Sequence, residues 1–131
     1  MKRILYILSF FLALSTTAAA QDDNGGEKVR ERMQEYIQKK LGLSRDEAER
    51  FSPIFLEYFR ELRKTNHQFK GDRLVLQQKI AEVRLKYRDQ FRPVIGEQRS
   101  NDVFVHERTF IREVQEQLID RRKGGRAKDN L

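Results

Sequence analysis

The sequence predicts an all-α protein whose four helices fold as antiparallel hairpins into a thin bundle or cradle. Apolar residues recur at spacings of three and four through long charged stretches, and no stretch alternates with the period of two expected of a half-buried strand. The seven glycines fall between those periodic stretches, where they act as punctuation. With only two prolines the chain is short of turn residues for a many-stranded β fold, and 38% hydrophobic residues is too rich for a disordered chain.

Residues 1–20 are expected to lie outside the fold. Lys2 and Arg3 precede an apolar run from Ile4 to Leu14, and the segment ends Ala18-Ala19-Ala20, the layout of a secretory signal peptide cleaved after Ala20. The run is too short to span a bilayer, which takes roughly 20 residues. Export to the periplasm or the extracellular space is then expected, the periplasm first, with no stable membrane insertion after cleavage. The remaining chain is one helical domain over 27–122, flanked by stretches 21–26 and 123–131 that read as disordered.

The first helix, 27–40, carries Val29, Met33, Tyr36 and Ile37 on one stripe and ends at Gly42 behind Lys39 and Lys40. Ser44, with Glu47 three residues on, forms a capping box that starts the second helix at Arg45. Ala48, Phe51, Phe55, Tyr58, Phe59 and Leu62 share a face of it. Pro53 predicts either a kink or a restart. Residues 65–71 read as a connection. The third helix runs from about Asp72 to Arg92 on Leu76, Ile80, Val83, Tyr87 and Phe91, and Pro93 and Gly96 close it. The fourth runs from about Glu97 to Arg122 on Val103, Phe104, Phe110, Ile111, Val114 and Leu118. Helices this long with stripes this narrow make a thin monomer, so a homodimer is expected.

The formal charge of +7 suggests a nucleic-acid partner until it is partitioned. The third helix carries six basic and three acidic residues and the fourth, to Asp120, three basic and six acidic, so these neighbours cancel. The cationic cluster is Arg121-Arg122-Lys123-Gly124-Gly125-Arg126. It reads either as a solubilising tail or as a site for nucleic acid or an anionic membrane surface. Export and the lack of interleaved aromatics weigh against nucleic acid.

Chemistry finds little purchase. With no cysteine, disulfides, thiol catalysis, Cys-ligated zinc, iron–sulfur clusters and a cysteine-borne lipid anchor are excluded. His67 and His106 supply no metal-binding spacing, even with Glu107 beside the second. Ser44, Ser52 and Ser100 sit in no nucleophile frame, and no glycine-rich phosphate loop occurs. Neither an enzyme nor a bound cofactor or metal is expected. The row Arg84, Arg88 and Arg92 along the third helix has two readings: a surface that attracts acidic clients at long range, or a face paired with the acidic fourth helix. The Phe51, Phe55, Phe59 stripe reads as core, with an exposed groove for a peptide or unfolded client as its alternative.

At Leu41-Gly42-Leu43-Ser44-Arg45-Asp46-Glu47-Ala48 the chain resembles the Spy/CpxP-like group of exported helical proteins, whose hallmark is an L-T-x-x-Q motif, usually in two copies. Leu43, Ser44 and Glu47 stand at the motif positions of the first copy, with Ser for Thr and Glu for Gln, and both replacements keep the capping-box physics. The second copy belongs at the turn before the fourth helix, where Ile95-Gly96-Glu97-Gln98 stands. The stretch from Phe51 to Arg63, followed by Glu107-Arg108-Thr109-Phe110, is similar to a branch whose members are labelled sensors of extracytoplasmic sigma factors. The resemblance covers roughly 27–122 and implies a helical-hairpin protein, often a cradle-shaped dimer. Spy-type members act as ATP-independent periplasmic chaperones, CpxP-type members inhibit an envelope stress sensor, and other relatives sense metals. The implied partners are therefore unfolded client proteins or an envelope regulatory protein.

Overall fold

The computed structural model describes residues 26–129, with side chains through Arg126. The expected signal peptide, its cleavage point at Ala20 and residues 21–25 lie outside the described residues. Every element in the described range is helical: α1 (26–41), α2 (Arg45–Phe69), α3 (Arg73–Ile95) and α4 (Glu97–Asp129). The chain divides into two units, Met1–Arg32 and Met33–Leu131. Of the first, the structure describes the opening turns of α1, where Arg30 meets Glu31 at 3.8 Å. The second holds all that follows.

Gly42 ends α1 as expected. Its φ of +61° carries the chain through the left-handed region that favours glycine. Its N–H bonds the Lys39 carbonyl at 3.2 Å while the Leu43 N–H reaches Gln38 at 3.1 Å, the paired bonds of a Schellman motif. Ser44 then caps α2: its hydroxyl accepts from the Glu47 N–H at 3.2 Å, and the Glu47 carboxylate accepts from the Ser44 N–H at 3.1 Å.

Three expectations are corrected. First, of the kink or restart expected at Pro53 the restart is excluded, because α2 runs unbroken through it; Pro53 is exposed, so water can satisfy the carbonyl that its missing N–H leaves unbonded. Second, the connection expected over 65–71 shrinks to residues 70–72. Thr65 is buried and Phe69 half-buried, so packing holds this stretch in the helix and places His67 in its exposed last turn. Asp72 caps α3 by accepting from Val75 at 3.2 Å. Third, both later helices overrun their expected ends. α3 passes Pro93 and stops at Gly96, whose φ of +86° and ψ of 168° are open to glycine almost alone. α4 passes Arg122 and continues through Gly124 and Gly125 to Asp129, where a disordered tail was expected from 123. Those two glycines keep negative φ, and the basic residues around them suit the negative end of the helix dipole.

Antiparallel pairing is plain from side-chain contacts. Phe51 of α2 meets Phe91 of α3 with ring centroids 4.9 Å apart, and Tyr58 meets Tyr87 at 5.4 Å. α4 runs back along α3, Asn101 opposite Arg88 and Glu107 opposite Arg84. Phe55, Val83, Ile95 and Val103 complete the interior with Met33 and Ile37 of α1. Tyr36 closes on Phe110, 5.5 Å away, and Gln34 bonds Ser52, which ties α1 to α4 and α2.

Candidate functional site: a cationic groove beside a buried carboxylate

The helical repeat brings Ala81, Arg84, Leu85 and Arg88 to one edge of α3, facing Asn101, Phe104 and Arg108 of α4. Between them lies a groove of about 360 Å³. Its floor is apolar, from Ala81, Leu85 and Phe104. Three arginines stand around it.

Beneath the groove sits Glu107, the only acidic or basic residue among those described that is fully buried, at 1% exposure. It occupies the inward stripe of α4, on the side of Val103 and Phe110, so α4 delivers a carboxylate where an apolar side chain belongs. Each oxygen has its own donor. The Tyr58 hydroxyl donates to Oε1 at 2.5 Å and Arg84 donates to Oε2 at 3.0 Å, so one carboxylate joins α2, α3 and α4. Burial, reinforced by the Glu107 charge, pushes the Tyr58 phenol far above its ordinary range and keeps it a donor. Burial is the largest single influence on the Arg84 guanidinium and works to lower it, but Glu107 and Tyr58 together outweigh it and hold the group above its usual value.

The predicted row Arg84, Arg88, Arg92 is divided. Arg84 and Arg88 line the groove; Arg88 reaches the Asn101 amide oxygen at 3.5 Å, and the Nε atoms of both arginines are buried without an acceptor. Arg92 lies outside the groove and pairs within α3 with Asp89 at 3.3 Å. Pairing with acidic α4 therefore accounts for Arg84, while a surface open to a ligand is built from Arg88 and from Arg108, which the sequence reading did not single out.

The Leu43, Ser44, Glu47 motif lies elsewhere and acts as a joint. Glu47 accepts from Arg99 Nη1 at 3.3 Å and also bonds Nη2, so the α2 cap is clamped to the start of α4. The Arg99 hydrogen bond, followed by that from the Ser44 backbone, holds the Glu47 carboxyl down at about 2. A third polar cluster joins α2 to α3: Tyr87 donates to Glu61 at 2.7 Å and Lys86 approaches the same carboxylate at 3.1 Å. The Tyr87 bond leads in lowering Glu61, and burial leads in raising Tyr87. Among the described residues no three His, Asp or Glu side chains, His67 and His106 included, gather as a metal site requires.

Chemically, the groove offers guanidinium and amide donors around an apolar floor, which suits recognition of acidic, partly apolar chain. One signal for its anchor was present in the sequence. Glu107 is a charge interrupting an otherwise apolar stripe that includes Val103, Phe110 and Val114. Comparison with family models, curated proteins and solved structures finds no match.

Proposed function

We propose that this protein is an exported, ATP-independent, chaperone-like envelope stress protein that holds partly unfolded clients. The observation that supports this reading is the make-up of the α3–α4 groove: Arg88 and Arg108 beside Leu85, which is 53% exposed, and Phe104. Guanidinium groups attract acidic chain at long range, and the apolar floor adds contact without directional demands. Such a surface tolerates many sequences, as a holding protein requires.

The test is suppression of aggregation of a denatured model protein without nucleotide. Arg88→Ala with Arg108→Ala removes the open cations and leaves the Arg84–Glu107 pair intact. Weaker protection is expected at low salt, with the difference from wild type narrowing at high salt. Arg92→Ala, outside the groove, should protect normally. No protection by the wild-type protein at several-fold excess overturns the reading. Recovery of one saturable envelope partner, in place of many unfolded clients, replaces it with the regulatory role that the family resemblance also implies.

A further inference from the structure

We infer that the second half of α4 is a docking surface for an anionic lipid bilayer. This goes beyond the client-binding reading and uses none of the groove residues. At about 3.6 residues per turn, Ile111, Val114 and Leu118 continue the stripe that buries Val103 and Glu107. They leave the core behind, at 40%, 37% and 48% exposure, and every residue from 111 to 126 is exposed. An apolar stripe is thus built and left bare over more than two turns.

Charge is sorted around that stripe. Glu113, Glu116 and Asp120 fall on the opposite side of the helix, with Arg112 and Lys123 among them. Arg121 and Arg122 flank the stripe one turn beyond Leu118, with Arg126 following. An apolar stripe that runs into cations at its end, with its acids turned to the other side, is what a helix lying in the interface of an anionic bilayer needs. The arrangement fits two other occupants poorly. A symmetric seam between two copies wants both signs of charge along its edges, and here the edge positions are the neutral Gln115 and Gln117, and the charged residues that follow on the stripe's side, Arg121 and Arg122, are both cations. Nucleic acid gains nothing from the apolar row, and 111–126 contain no aromatic residue for base stacking. No helix among the described residues is long and apolar enough to cross a membrane, so the association is peripheral.

Vesicle flotation tests this, with phosphatidylcholine vesicles that either contain or lack phosphatidylglycerol. The protein should float with the anionic vesicles, remain behind with the neutral ones, and release at high salt. Arg121→Gln with Arg122→Gln should lower the partition coefficient roughly thirtyfold. Val114→Gln with Leu118→Gln should also abolish flotation, and an unchanged circular dichroism spectrum will show that these exposed changes leave the fold intact. Equal binding to both vesicle types, or to neither, overturns the inference. So does a dimer in sedimentation equilibrium that the Leu118 variant dissolves, because a second copy would then cover the stripe. Tighter binding to a duplex oligonucleotide than to anionic vesicles overturns it as well.

Discussion

Removing the Tyr58 hydroxyl, by Tyr58→Phe, isolates one bond of the buried joint while leaving the ring that packs against Phe55, Tyr87, Phe91 and Phe104. The hydroxyl lies 2.5 Å from a carboxylate oxygen that water cannot reach, since Glu107 is 1% exposed and Tyr58 is fully buried. A hydrogen bond to a charged group contributes about 1.5–3 kcal/mol, and a site closed to replacement water belongs in the upper part of that range. With a urea m-value of about 1–3 kcal/mol per molar, the midpoint should fall by on the order of 1 M at unchanged m. Tyr87→Phe is the matched control. It deletes the same hydroxyl from a carboxylate, Glu61, that is 32% exposed and also held by Lys86, so water can take its place. About 0.5–1 kcal/mol is expected there. Urea unfolding of both variants, followed by far-UV circular dichroism, checks the pair. If Tyr58→Phe costs no more than Tyr87→Phe, burial of Glu107 does not set the strength of this joint, and the reasoning fails.

Two further outcomes concern the α2 cap. Ser44→Ala should cost about 0.5–2 kcal/mol, read as a lower denaturation midpoint, because it removes the acceptor for the Glu47 N–H. The Glu47 carboxyl is held at about 2 in the fold against an ordinary 4.5, so its ionised form stabilises the protein fully above pH 4.5. That contribution is lost as pH falls toward about 2. Glu47→Gln, which can still accept from the Ser44 N–H, should flatten the acid limb of the stability–pH curve across that window, and unfolding midpoints measured from neutral to strongly acidic pH will show whether it does.

The elements legible in the sequence were those fixed by local chemistry. Gly42 with its two lysines and the Ser44–Glu47 box name their own hydrogen-bond partners within a few residues, and the structure places each where the spacing put it. The helix ends that differ from expectation depend on distant packing. Residues 65–69 hold nothing that compels a helix, but Thr65 is buried and Phe69 half-buried, so tertiary contact extends α2. The place of Arg108 in the groove is not legible in the sequence, because it depends on which face of α4 meets α3, and that follows from Glu107 turning inward. A charge on an apolar stripe marks such a register, yet a sequence alone does not say which partners will neutralise it.

Arg84 belongs to two structures at once, and this decides how the groove can work. Its guanidinium bonds Glu107 below while its flank forms part of the groove wall. The carboxylate cancels much of its charge at distances beyond a few ångströms, so the field over the groove comes chiefly from Arg88 and Arg108. The same bond fixes Arg84 in one orientation, so a ligand passing over it loses no side-chain freedom there. The joint that holds three helices together therefore also supplies the groove's rigid edge, and a change at Glu107 should reach client binding and fold stability together. Arg88→Ala should separate them. It removes only a 3.5 Å contact with Asn101, so the unfolding midpoint should stay within about 0.5 kcal/mol of wild type, while protection of clients falls. A large loss of stability from Arg88→Ala would show that this arginine, like Arg84, is committed to the fold.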